Sequence, residues 1–268
     1  MMLGAMTNGG SVDYVAGLDA GSLEGTRIGV LRFAQGSHPH IYKKFNEALS
    51  ALETAGAELV EIESFDLNVE NYGHKSLSVL EYEFKASLNV YLANAAPEVK
   101  TRSLSEIIVF NEKHADVELA LFDQSLLEAS DALGDLDTPA YKEALKEILS
   151  ATRENGMDAF LAQNNVSVLV APSGPLAGQS DPINGDVWPS WAGAGYLPAI
   201  AGYPHLTVPM GDVYGLPIGL SFMGGKNKDA QILSYGYAYE HATRLRVEPK
   251  YLRTSEERKE LKKAMLRK

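Results

Sequence analysis

The 268-residue sequence predicts an α/β protein with strands towards both ends and a helical insertion between them. Three observations carry this. A strand–helix–strand pattern occupies Arg27 to Ile62. The middle of the chain repeats apolar residues at helical spacing. Two strand-type stretches then return, the run VSVLVA and the segment AGYPHLTVPMGDVYGLPIGLSFMGG from Ala201 to Gly225.

Arg27 to Arg32, RIGVLR, is a short apolar run rich in β-formers. The loop AQGSHPH follows. Ile41, Phe45, Leu49 and Leu52 then recur at helical spacing, Gly56 ends that helix, and Glu58 to Ile62 read as a second strand. Such a unit implies a parallel pair joined by a right-handed crossover. In the middle, Leu77, Leu80, Phe84, Leu88 and Tyr91 mark one face of a long helix. Leu104, Ile107 and Ile108 begin a second helix beyond Pro97, and Leu119, Phe122 and Leu126 suggest a third. Thr138-Pro139 is a helix start, since proline at the first helical position loses no hydrogen bond. Tyr141, Leu145, Ile148 and Leu149 continue it.

Val166 to Ala171 is a continuous apolar run, as expected of a strand buried on both faces. A loop rich in Gly, Pro, Asp and Asn runs from there to about Ala192. The closing segment holds six glycines and three prolines around two strand-length runs, Leu206–Pro209 and Ile218–Met223. Pro209 and Pro217 belong at strand ends or on an edge, Gly211 and Gly215 bracket a loop, and Gly219 permits close approach by another backbone. A helix from Asp229 to Ala242 follows, its inner face read as Ile232, Leu233, Tyr237 and Tyr239 or Glu240. The segment itself shows no nucleophile with a base.

Composition narrows the function. The net charge of −11 disfavours nucleic acid as a general partner. The tail from Arg244 to Lys268 has ten Lys/Arg against four Glu, which leaves −17 on the rest. Residues 253–268 read as a solvated basic helix with Thr254 as N-cap and Glu257 three residues on. Cysteine is absent, which excludes disulfides and thiolate chemistry, and the six histidines show no metal-ligand spacing. The first residues lack a basic n-region and no stretch is long enough to span a membrane, so a cytoplasmic location is expected.

The closing segment, with LSYGYAYEHAT after it, resembles the C-terminal signature of the amidase signature family, hydrolases of carbon–nitrogen amide bonds. GLDAGSLEGTRIGVLR resembles the family's segment just after its catalytic region. TRSLSEIIVFNEKHADVELALFDQSLLEAS, DLDTPAYKEAL and VSVLVAPSGPLAGQSDPINGD resemble the peptide-amidase-like branch. The resemblance runs from about Gly17 to Leu252. It implies the C-terminal part of the amidase-signature fold, a mixed sheet with helices on both faces, as one partial domain with residues 1–16 as a remnant linker. No cofactor and no metal are implied.

The family works through a serine nucleophile, a second serine bridging through a cis peptide, and a lysine, which activates only if its pKa is lowered. Its serines lie in a Gly-Gly-Ser-Ser-Gly-Gly-like stretch. The 268 residues contain no two adjacent serines, and Asn8-Gly9-Gly10-Ser11 reads as a turn. No catalytic residue is therefore carried over. The resemblance implies a C-terminal half, inactive alone, acting on a small amide when an N-terminal half completes it. The alternative is a non-catalytic module that binds a ligand or a partner chain. What remains is a cleft wall, SGPLAGQSDPINGDVWPSW, where Asn184 and Asp186 would hydrogen-bond an amide or amine and Trp188 and Trp191 would stack a side chain. The alternative for this loop is a structural surface segment anchored by its tryptophans. A half stripped of its partner would leave strands such as Ile28–Leu31 without neighbours and would self-associate.

Overall fold

The computed structural model describes residues 2–7, 13–178, 181, 183, 185, 191–249 and 251. In chain order these form α1 (Met2–Met6), β1 (Arg27–Leu31), α2 (Pro39–Thr54), β2 (Glu58–Ile62), α3 (Tyr72–Ala93), α4 (Leu104–Lys113), α5 (Ala115–Glu118), α6 (Ser125–Ala132) and α7 (Pro139–Thr152). A π turn, Arg153–Met157, leads to α8 (Asp158–Gln163), β3 (Val168–Pro172), α9 (Tyr196–Ala201), β4 (His205–Val213), β5 (Leu216–Met223) and α10 (Asp229–Thr243). The expected capping box at Thr254 and the turn at Ser11 lie outside the described residues.

The chain divides into two compact units. The first comprises residues 1–66, 152–179 and 187–268 and contains one five-stranded sheet in the order β2-β1-β3-β5-β4. β1 pairs parallel with β2, Arg27 opposite Glu58 through Leu31 opposite Ile62, and parallel with β3. β5 pairs antiparallel with both β3 and β4. The sheet is thus mixed, as the sequence predicts. β1 has a neighbour on each side, which corrects the expectation that Ile28–Leu31 would lack one. β3 is central and buried along its whole length.

Alternation along the strands divides the core. Ile28, Val30, Val168, Val170, Val208, Leu220 and Phe222 join Phe45, Leu49 and Leu52 of α2 and Ile232, Tyr235 and Tyr239 of α10 in one cluster. Leu31, Leu169, Ala171 and Met223 alternate with these and are buried on the other face. α10 therefore buries Ile232, Ser234, Tyr235, Gly236, Ala238 and Tyr239. Tyr237 and Glu240, read from the sequence as inward, are exposed. A helix covered by α2 as well as by the sheet hides a broader arc than a simple stripe, so the 3.6-residue pattern is blurred. Burial of the α10 phenol pushes the Tyr239 pKa above its ordinary value.

The hairpin is longer than expected. β4 and β5 run to within two residues of each other, with Tyr214 (φ +53) and Gly215 (φ +86) between them. Two successive positive φ values are those of a type I′ turn, whose twist matches that of the strands. Gly211 (φ +111) lies inside β4 at a register shift opposite Ile218, where a bulge is placed, and is not a loop boundary. Pro209 sits on the edge strand and Pro217 at the second position of β5, as their missing donors require.

The second unit comprises residues 67–151 and 180–186 and is helical where described. α7 starts at Pro139, as predicted. Ser103 caps α4 by accepting from Glu106 N at 3.2 Å, while Glu106 Oε2 accepts from Arg102 N at 2.5 Å. The Arg102 guanidinium donates to the carbonyls of Leu92, Ala95 and Ala96 at the end of α3, satisfying acceptors that the helix leaves open. Lys85 Nζ does the same for Asp131 and Leu133 at the end of α6. The buried residues of α3 are Val79, Tyr82 and Leu92. Leu77, Leu80, Phe84 and Tyr91, read as its inner face, are exposed. Leu119 and Phe122 fall between helices, and only Leu126 lies in one, α6.

Candidate functional site

The first unit gathers its polar chemistry where β3 ends. β1 and β3 run parallel, so their C-terminal ends point the same way. Beyond β1 a 3-10 turn, Arg32–Ala34, leads to Gly36 (φ +72). Beyond β3 comes Ser173. The segment from Trp191 to Gly195 lies over both. Gly193 N donates to Ala34 O at 2.7 Å, and a Cβ on Gly193 would come within 3.0 Å of the carbonyl oxygens of Pro172 and Ser173. A Cβ on Gly36 would approach Trp191 O to 2.8 Å. In both cases the neighbour is backbone, which cannot move aside, so glycine is what lets the two loops close on each other.

Ser173 is half-buried and its amide donates to Gly219 O at 2.8 Å. Its hydroxyl accepts from Ser221 Oγ at 3.0 Å. Ser221 is fully buried on β5, and its Oγ lies 2.7 Å from His205 Nε2 on β4. Residues 205 and 221 are brought together by register: Ser221 faces Thr207, so His205 is its diagonal neighbour on the same face. His205 is exposed as a residue, yet its ring is partly desolvated, which lowers its pKa below the ordinary histidine value. Two more glycines make room. A Cβ on Gly219 would lie 2.8 Å from Ser173 Oγ and 2.5 Å from Thr207 Cγ2, and one on Gly195 would lie 3.1 Å from His205 Cε1. Gly219 thus accommodates side chains, where the sequence suggested a backbone.

Within the closing segment the structure brings one hydroxyl to one imidazole, a contact that the sequence reading does not anticipate. Ser221 and His205 both belong to that segment, sixteen residues apart. Their alternation on two paired strands was the available signal, and only the hairpin register turns it into a contact.

Of the four cleft residues proposed from the sequence, Asn184, Asp186 and Trp188 lie outside the described residues. Trp191 is described: its side chain is 59% exposed and Nε1 donates to Gly193 O at 3.3 Å. An indole this exposed is not a buried anchor. Among the described residues no group of three His, Asp or Glu could hold a metal ion. No helix among them is long and apolar enough to cross a membrane.

A mixed sheet with helices packed on it and loops converging at the C-terminal ends of its parallel strands is an α/β architecture of the kind that places ligand sites at those ends. The amidase family profile matches residues 8–233, and the chain belongs to that family. The peptide amidase solved in complex with the competitive inhibitor chymostatin superposes with a TM-score of 0.80 at 37% identity, covering 91% of this chain and 49% of that one. The native peptide amidase of Stenotrophomonas maltophilia gives 0.78 at 36%, covering 91% and 48%. By sequence, a probable amidase of Arabidopsis thaliana is 29% identical over 175 residues, 63% of this chain and 30% of that protein. The chain spans less than half the length of these relatives.

Proposed function

We propose that this chain forms part of a hydrolase of carbon–nitrogen amide bonds, acting on a small amide of the peptide-amide type. The observation that carries the reading is the match to peptide amidase across 91% of the chain at 37% identity. The chain supplies a sheet and a wall of the cleft. The nucleophile, its bridging serine and its lysine come from residues other than these 268, which contain no serine pair. Asn184 and Asp186 hydrogen-bond the substrate, and Trp188 and Trp191 stack against it; the exposure of Trp191 supports this. The enzyme is cytoplasmic, in keeping with the absence of cysteine.

The test is reconstitution. The chain is co-expressed with the unmatched half of a peptide amidase, and ammonia release from peptide amides is followed. The complex is expected to turn over and the isolated chain to leave amides intact. In the complex, Asp186→Ala and Trp188→Ala are expected to lower kcat/KM more than they lower the thermal midpoint. Full kcat/KM in both variants would return the loop to a structural role. Failure of an assembled complex to hydrolyse any amide would count against the hydrolase reading. A second reading, a ligand-binding module without catalysis, is favoured if the isolated chain binds a peptide amide that no assembled complex cleaves.

A further inference from the structure

We propose that Ser173, Ser221 and His205 form a hydroxyl–hydroxyl–imidazole relay that makes Ser173 an acceptor of acyl groups. The geometry has the three parts that activation of a hydroxyl needs. Ser173 is the open end, half-buried where β3 meets its loop. Ser221 is the closed middle, fully buried, with its Oγ 3.0 Å from Ser173 Oγ and 2.7 Å from His205 Nε2. His205 is the base, and a histidine held below its ordinary pKa is neutral at neutral pH. With the ring proton on Nδ1, Nε2 accepts from Ser221; both hydroxyls then turn, and Ser173 donates to Ser221.

A purely structural explanation asks less than is present. The buried Ser221 hydroxyl needs one partner to offset its desolvation, and Ser173 alone would provide it. The fold instead keeps a second partner, an imidazole, and leaves side chains off positions 195 and 219 where a Cβ would crowd His205 and Ser173. Gly193 adds a third, beside the Ser173 carbonyl.

The chemistry closes without any further reactant but water. Ser173 Oγ attacks an acyl carbon, its proton passes to Ser221 as the proton of Ser221 passes to His205 Nε2, and a tetrahedral adduct forms. The bond to the leaving group breaks, the leaving group either takes up the proton from His205 or departs as an anion while His205 releases that proton to water, and acyl-Ser173 remains. Water then attacks the ester, its proton passing through Ser221 to His205, and that proton returns to Ser173 Oγ as the free acid leaves. The substrate class is an activated acyl donor, aryl esters first. A phenolate departs without the protonation that an amide nitrogen requires, so this reaction is compatible with an isolated chain that leaves amides intact.

The experiment uses the full 268-residue chain and p-nitrophenyl acetate. Intact-mass and peptide mapping are expected to find the acetyl group on Ser173, and nitrophenolate release is expected to show a burst. Ser173→Ala should lose both. His205→Gln, at an exposed position, should slow acylation by at least about tenfold, the low end of what a base supplies. It should also flatten the rise in rate that the wild type shows as a group titrates below the usual histidine range. Ser221→Ala should do the same. If it lowers the thermal midpoint, His205→Gln decides alone. Acetylation elsewhere, or a rate and pH profile unchanged in His205→Gln, would overturn the relay.

Discussion

Gly219 is the position on which the Ser173 hydroxyl depends. A methyl there would sit 2.8 Å from Ser173 Oγ and 2.5 Å from Thr207 Cγ2, both contacts that ordinary side chains do not make. Gly219→Ala is therefore expected to cost about 1–3 kcal/mol by overpacking. It should also turn Ser173 away from Ser221. Chemical denaturation reads the first, and a drop in acetylation of Ser173 reads the second. An unchanged midpoint would mean that Thr207 and Ser173 re-orient freely. His205 gives a pH dependence whose sign is fixed. Its folded pKa lies below the ordinary 6.5, so as pH falls the unfolded chain takes up this proton first. Stability contributed by the neutral ring is full above 6.5 and is lost as pH falls from there through the folded value. Wild type minus His205→Gln, compared by denaturation from pH 8 to pH 5, should show a difference that shrinks with acid. A difference that is flat or grows would contradict the desolvated ring. None of this was legible from the residues singly. The glycines announced tight packing, but which side chain each one spares is decided by strand register and by a loop returning from residue 191.

At the scale of elements, short-range signals were readable and packing choices were not. Strands β1, β2 and β3 are plain because each is short, rich in β-formers and bounded by turn residues, and β3 is in addition a continuous apolar run. The start of α7 at Pro139 was plain because proline fits only a first turn. The hairpin is legible but its loop is shorter than the paired glycines suggest, because Gly211 serves a bulge and a type I′ turn needs only Tyr214 and Gly215. Ser103 followed three residues later by Glu106 has capping-box spacing, with Ser103 Oγ accepting from Glu106 N and the Glu106 carboxylate accepting from Arg102 N, one residue before the cap. Ser103→Ala removes the hydroxyl that accepts from Glu106 N and is expected to cost about 1 kcal/mol. Because α4 belongs to the helical unit, hydrogen exchange should quicken in residues 104–107 and leave the strands of the sheet protected. Equal quickening in both would show that the cap acts on global unfolding.

At the scale of the whole molecule, the apolar stripe of α3 leads to the last prediction. Leu77, Leu80, Phe84 and Tyr91 recur at the spacing of a buried face, yet Leu80 is 60% and Tyr91 72% exposed. Sequence periodicity reports what a helix is built to cover, and the described residues leave this stripe exposed. The sheet contributes less to association than its composition suggests. β1 is paired on both sides, and the edge strand β4 carries Pro209 and a bulge, two features that blunt an edge against pairing. The exposed side chains of α3, with Phe110, Phe122 and Leu126 elsewhere in the same unit, are the surface expected to drive any association. The net charge of −11 opposes it only over about 8 Å at physiological salt. We expect the isolated chain to form dimers or larger species in size-exclusion chromatography with light scattering and to bind a hydrophobic dye. Leu80→Glu combined with Tyr91→Lys places charge on the stripe without touching the buried Val79 and Tyr82, and should restore a monomer. Co-expression with the unmatched half of a peptide amidase should lower dye binding. A wild-type monomer that melts cooperatively and binds no dye would mean that the stripe needs no cover, and would favour the stand-alone module over the half-enzyme.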